Sequence, residues 1–203
     1  MELEQALSER RAVKSYDPEH VISDDDLRRL FELVVRSPSS FNLQHWRFVL
    51  VRDKQRRQLL QAASFGQSQV GECSVAVVVC ATLKAHEDAA RLWSAAPQAV
   101  QDRMVPMISG LYADNSQLQR DEAIRSAGLA SMTLMLAARS MGLDTCPMIG
   151  FDPKQVAELI ELPADHVALM LITLGKAAAE GRTTERLPVN EVVLLESFGG
   201  EGL

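Results

Sequence analysis

Ser37-Pro38-Ser39-Ser40-Phe41-Asn42-Leu43-Gln44-His45-Trp46-Arg47-Phe48 crowds hydroxyl and amide side chains into a turn that feeds straight into an apolar run. Ser37-Pro38-Ser39-Ser40 is a helix stop by its chemistry, since proline withholds an amide and serine competes for backbone partners. What it stops is visible upstream. Ser23 is placed to cap a helix with Asp24, Asp25 and Asp26 in its first turn, and Leu27, Leu30, Phe31, Val34 and Val35 fall on one face. Arg47 to Val51 reads as the strand that leaves the turn, and Asp53 to Ala63 as the next helix.

Further out, Val75 to Cys80 is a continuous apolar run, the pattern of a strand buried on both faces. Residues 84–118 mix charges with Trp93, Met104, Met107, Ile108, Leu111 and Tyr112, and read as helical fragments broken at Pro97 and Pro106. Asp121 to Met141 reads as one long helix, apolar nearly all round, which must be covered on every side and so points to a subunit interface. Asp152-Pro153 opens a further helix with a cap and an N1 proline, ending near Leu162-Pro163. A strand follows from Val167 to Leu174. A loose basic stretch leads to a last strand-like segment, Glu191 to Glu196. Strands interspersed with helices, without strict βαβ repetition, define an α+β sandwich around a mixed sheet.

The bulk numbers narrow the class. A chain of 203 residues, 47% hydrophobic and 24% charged, suits one globular domain over 1–203 with its own core. A net charge of −6 supplies no basic field for nucleic acid. The N-terminus is polar and acidic, unlike a signal peptide, and the apolar stretch Gly128 to Met141 is too short to span a bilayer, so neither export nor a membrane partner is expected. Cys73, Cys80 and Cys146 lack CxxC spacing and read as reduced thiols packed in the core of a cytoplasmic protein. The four histidines have no metal-ligand spacing.

One more feature is costly unless used. Arg10-Arg11-Ala12-Val13-Lys14 is a knot of positive charge in an acidic chain. Alone, a basic triplet at a helix end is usually solvated and favoured by the helix dipole. In order along the chain, however, this knot, the Ser37–Phe48 segment, the run Pro147-Met148-Ile149-Gly150-Phe151-Asp152-Pro153, Leu171 to Lys176 and the tail Arg186-Leu187-Pro188 together resemble the nitroreductase flavoprotein family from Leu7 to Phe198.

That resemblance implies a central mixed, mainly antiparallel sheet flanked by helices, in a homodimer with FMN at the interface and the C-terminal segment exchanged between subunits. It implies that Arg10 and Arg186 hold the FMN phosphate, with Arg11 and Ala12 alongside and Lys14 at the pyrimidine edge of the ring, where a fixed cation raises the reduction potential. Pro38, Ser39, Ser40 and Asn42 would reach the flavin of the opposite subunit. Pro147, Met148, Ile149 and Gly150 would form the loop over one ring face, the backbone N–H groups of Ile149 and Gly150 meeting N5 and O4. Gln69, with Gln67 as the alternative, would lie against the ring edge. Ile149 stands where many relatives carry glutamate, and His45 where proline is usual. Residues 84–118 would cap the substrate site, with Trp93, Met107, Leu111 and Tyr112 either lining it or packing as ordinary helix residues.

The chain has no GxGxxG, P-loop or GxSxG motif. NADH or NADPH would therefore use the exposed flavin face and leave before a small electron-poor acceptor, such as a nitroaromatic or quinone, takes its place, giving ping-pong kinetics. In this scheme the protein holds and tunes the flavin and supplies no catalytic acid or base. Two other functions fit the same motifs: FMN chemistry on one dedicated metabolite (dehydrogenation, enone reduction or dehalogenation), and flavin binding without turnover.

Overall fold

A computed structural model describes residues 1–203. Four strands form one sheet in the order β1-β2-β4-β3: β1 Trp46–Val51, β2 Val75–Thr82, β3 Asp144–Met148 and β4 His166–Gly175. Every neighbouring pair is antiparallel. The four-stranded sheet is thus antiparallel throughout and not mixed; parallel pairing is confined to an isolated bridge of Ala12 with Thr145. The helix between β3 and β4, α8 (Pro153–Leu159), has seven residues. At about 10 Å it is too short to carry a parallel crossover.

The register of β2 explains its unbroken apolar run. All eight of its residues are buried. Val75, Val77, Val79 and Ala81 point into one core with Leu30, Val34, Leu134 and Ile172, while Ala76, Val78 and Cys80 point into a second with Leu60, Cys146, Val156 and Leu171. The first core lies under α2 (Asp24–Val34) and α7 (Ser116–Ser140); the second lies under α3 (Lys54–Ala63), α4 (Ser68–Glu72) and α8. Caps fix these helices where the sequence signals them. Ser23 Oγ accepts from Asp26 N, Asp53 from Arg56 N, and Asp152 from Lys154 N and Gln155 N. All three cysteines are free and buried, and burial pushes the Cys73 and Cys80 thiols up to about 11.

Three segments differ from their sequence reading. Pro106 does not break the helix: α6 runs through it from Gln98 to Tyr112, anchored by buried Ile108 and Tyr112. Burial of those side chains outweighs the roughly 3 kcal/mol that an interior proline costs a helix. The long helix starts earlier than Asp121, at Ser116, where the Asn115 side chain accepts from Leu118 N. Glu191 to Glu196 is not a strand. Pro188 instead starts a short helix, α9 (Val189–Val192), and only Leu194 bridges, to Gly202. A strand needs a ladder partner, and no sheet edge of this chain lies beside the tail. The tail leaves Val189, Val192, Leu195 and Phe198 exposed.

Candidate functional site

The basic knot sits where α1 (Leu3–Glu9) ends, with Arg10 as its C-cap. From there the chain runs extended along β3: Ala12 bridges Thr145, and Val13 N donates to Thr145 O at 3.1 Å. Along it Val13 and Tyr16 are buried, and Ala12 and Lys14 are exposed. The tail returns over this segment through a bridge of Ala177 with Tyr16. At Gly181 the approach is so close that a Cβ would fall 2.5 Å from the Cβ of Arg11. Only glycine permits this contact. It delivers Thr183, Thr184 and Arg186 to a cavity of about 250 Å³ shared with Leu7, Ser8, Arg10 and Arg11. Arg10 and Arg186, far apart in sequence, thus come together.

No carboxylate pairs with Arg10, Arg11, Lys14 or Arg186. The acid next in sequence, Glu9, is held by Arg139 at 2.8 Å, and Arg139 also grips Asp144 at 3.0 Å. Gln5 and Arg139 hold the Glu9 carboxyl below its ordinary range by hydrogen bonding. Glu9 is therefore removed from the clamp while α1 is tied to α7 and β3. A basic cluster left unneutralised in an acidic protein has the chemistry of a phosphate site. Sequence reading missed Gly181, Thr183, Thr184 and the Glu9–Arg139–Asp144 triad, since their roles come from long-range folding.

Beyond β3 the loop of Ile149, Gly150 and Phe151 leads to the cap of α8. Ile149 is 80% exposed. Its backbone N–H and that of Gly150 meet no protein acceptor, whereas Phe151 N donates to Ile149 O. Gln67 Nε2 donates to Gly150 O at 2.8 Å, and Gln69 Nε2 donates to Gln67 Oε1 at 3.0 Å and contacts Met148 Sδ at 3.5 Å. Gln69 is buried and braces this loop, with Gln67 as the second link. Pro147 and Met148 lie at the end of β3, with the Met148 side chain buried.

The Ser37–Gln44 turn carries concentrated backbone strain. Phe41, Asn42 and Gln44 all have left-handed backbone, with φ of 50°, 56° and 48°. Each costs on the order of 1–2 kcal/mol for a residue bearing a Cβ. Ser37 Oγ donates to Val34 O and shares a hydroxyl–hydroxyl hydrogen bond with Thr133 Oγ1, and Ser39 Oγ accepts from Gln44 N at 2.9 Å. Pro38 and Asn42 are exposed and Ser39 and Ser40 half-buried. Behind the turn, His45 is 1% exposed, and its Nδ1 has no hydrogen-bond partner. Burial, helped by the nearby charge of Arg47, pulls the ring down to about 4.

These groups do not form one site within the protomer. The clamp, Lys14 and the Ile149–Gly150 loop lie along β3, and the Ser37–Gln44 turn leads into β1, at the opposite edge of the sheet. Three strand spacings, about 14 Å, separate the two edges. In the helical segment 84–118, Tyr112 is 1% exposed, Trp93 is half-buried, and Met107 and Leu111 face outward at 45% and 47%. Tyr112 is therefore a packing residue, not a pocket lining.

The antiparallel sheet thus carries a basic cluster at one edge and a strained polar turn at the other. The chain belongs to the nitroreductase family, whose model matches residues 7–176. It is 40% identical over 197 residues to protein DrgA of Synechocystis sp., covering 94% of each chain, and 37% identical to MhqN of Bacillus subtilis, named an NAD(P)H nitroreductase, covering 92% of this chain and 95% of that one. A nitroreductase-type protein of Exiguobacterium sibiricum solved in complex with FMN superposes with a TM-score of 0.90 at 33% identity, over 95% of this chain and 96% of that one.

Proposed function

We propose that the chain is an FMN-dependent oxidoreductase, acting as a homodimer that uses NADH or NADPH to reduce a small electron-poor acceptor such as a nitroaromatic or quinone. The observation that carries this reading is the convergence of Arg10, Arg11 and Arg186 on one cavity with no acid paired to them. Arg10 and Arg186 would hold the phosphate, with Arg11 and Ala12 beside it. Lys14, exposed and unpaired, supplies positive charge at the pyrimidine edge. The backbone N–H groups of Ile149 and Gly150 would donate to the ring, braced from behind by Gln67, Gln69 and Met148. When bound, FMN supplies the electron chemistry, accepting hydride from the nicotinamide and passing electrons to the acceptor.

The dimer is inferred from the split arrangement. A second copy can bring its Pro38, Ser39, Ser40 and Asn42 to the first copy's clamp, which one copy cannot do for itself. The outer face of α7 supports the same reading, because Ile124, Leu129 and Met132 are exposed there around Gly128, where a Cβ would meet nothing within 4 Å. Beside the free edge of β1, a groove of about 360 Å³ lined by Phe31, Val35, Trp46, Phe48 and Leu50 offers the apolar tail of a partner a surface and a strand to pair with. Such an exchange would supply the ladder that Glu191 to Glu196 lacks within one chain. Donor and acceptor would take turns over one ring face, beside the apolar side chain of Ile149, which gives ping-pong kinetics and favours uncharged acceptors. No helix is long and apolar enough to cross a membrane, and the protein is read as cytoplasmic.

The test is direct. Purified protein should be yellow, bleach on anaerobic addition of NADH or NADPH, and recover its colour with a nitroaromatic or quinone. Yellow protein that never bleaches would mean flavin binding without turnover. Colourless protein that cannot be reconstituted with FMN would overturn the proposal.

A further inference from the structure

The helical segment of residues 84–118 has a core of its own. Leu43, Ala85, Ala89, Ile108 and Tyr112 are buried together, with Phe41, Trp93 and Met104 packed against them. Two members of that core, Leu43 and Phe41, belong to the strained turn and not to the helices. Two side-chain hydrogen bonds complete the attachment. Trp93 Nε1 donates to Phe41 O at 3.1 Å, and the Tyr112 hydroxyl donates to Ser40 Oγ at 3.1 Å. The Tyr112 ring is held in place by His86, stacked on it at 5.5 Å with planes 15° apart, and by the edge of Phe41 at 6.5 Å. Burial pushes the Tyr112 phenol up, so it stays a proton donor across the working range of pH.

The direction of the Tyr112 bond matters. A serine hydroxyl has one hydrogen to give and two lone pairs to receive. With a lone pair taken by Tyr112, the Ser40 hydrogen is free to point away from the cap, toward whatever the turn faces. Phe41 and Asn42, the next residues, are held in left-handed backbone that the chain would relax if unsupported.

We propose that Tyr112 and Trp93 are positioning residues for the flavin of the partner subunit: through Ser40 Oγ and the Phe41 carbonyl they hold the Ser39–Asn42 turn in its strained form and aim the Ser40 hydroxyl as a donor. The helical segment is then a buttress for the flavin-contacting turn. This rests on the reading that the turn meets FMN across the dimer.

The experiment is FMN affinity of the dimer, followed by quenching of flavin fluorescence, for wild type, Tyr112→Phe, Ser40→Ala and the double variant. Gln101→Ala serves as a control, because the Gln101 side chain bonds only to Ser94 O and Ala96 O within the same segment. Loss of the Tyr112 hydroxyl should weaken FMN about threefold to tenfold, the range of one net hydrogen bond, and alter the visible circular dichroism of the bound flavin. In the Ser40→Ala background the same change should have no further effect. Gln101→Ala should leave FMN affinity unchanged. Trp93→Phe, which keeps an aromatic ring and removes the N–H, should weaken FMN as Tyr112→Phe does. Equal affinity in wild type and Tyr112→Phe, or a loss that persists in full in Ser40→Ala, would overturn the proposal. Failure of the wild type itself to bind FMN would instead overturn the functional reading beneath it.

Discussion

Replacing His45 with leucine removes a buried ring whose Nδ1 has no partner and keeps a side chain of similar bulk. The folded protein holds this histidine at about 4 against an ordinary 6.5, first through burial and then through Arg47 and His86. The unfolded chain therefore binds a proton that the folded chain refuses between those two values. The sign follows: the stability associated with neutral His45 is complete above about pH 6.5 and is lost as pH falls toward 4. A difference of about 2.5 pKa units at 1.36 kcal/mol each sets the total loss near 3 kcal/mol. Urea unfolding at pH 7.5 and pH 4.5, at fixed protein and FMN concentration, measures it. The wild type should lose about 2–3 kcal/mol more than His45→Leu between the two pH values. At pH 7.5 the variant should be equal to or more stable than wild type by up to about 2 kcal/mol, because the orphaned nitrogen is gone. Identical pH dependence in the two proteins would refute the reasoning, since the buried ring would then titrate like a solvated one.

Further outcomes are expected at the clamp and the interface. Arg10→Ala and Arg186→Ala should each weaken FMN by about 1.5–3 kcal/mol, the scale of a charge-assisted hydrogen bond, in isothermal titration. Arg139→Met should lower unfolding stability only modestly, since it removes the ion pairs to Glu9 and Asp144 while Glu9 keeps its bond from Gln5 and Asp144 keeps the Ala177 N–H. It should also weaken FMN, because Arg10 directly follows Glu9; calorimetry and titration read the two effects separately. Leu129→Arg, on the exposed face of α7, should shift the protein to monomer in sedimentation velocity and abolish tight FMN binding.

The core was legible in the sequence because periodicity records burial. Val75 to Cys80 announced a strand with two buried faces, and capping residues Ser23, Asp53 and Asp152 marked helix starts that the fold keeps. The basic knot from Arg10 to Lys14 was equally visible, since a cluster of positive charge stands out locally in an acidic chain. What stayed hidden depends on groups distant in sequence. Nothing local shows that Gly181 lies on Arg11, that Gln69 braces Met148, or that Tyr112 reaches Ser40. Pro106 misled because its local cost is outweighed by the burial of Ile108 and Tyr112. Glu191 to Glu196 has the composition of a strand, but within one chain it meets no sheet edge, so its pattern and its conformation disagree.

The central claim is that the site is divided between two copies, and mixing two defective proteins tests it most directly. One variant carries Arg10→Ala with Arg186→Ala, and the other carries Ser40→Ala with Asn42→Ala; each alone should bind FMN weakly at both sites. Unfolded together and refolded, their heterodimers place both lesions in one site and leave the other intact. Tight FMN binding should reappear in the mixture at one site per heterodimer. Heterodimers in which no tight site reappears would contradict the claim, because clamp and turn would then serve the same chain.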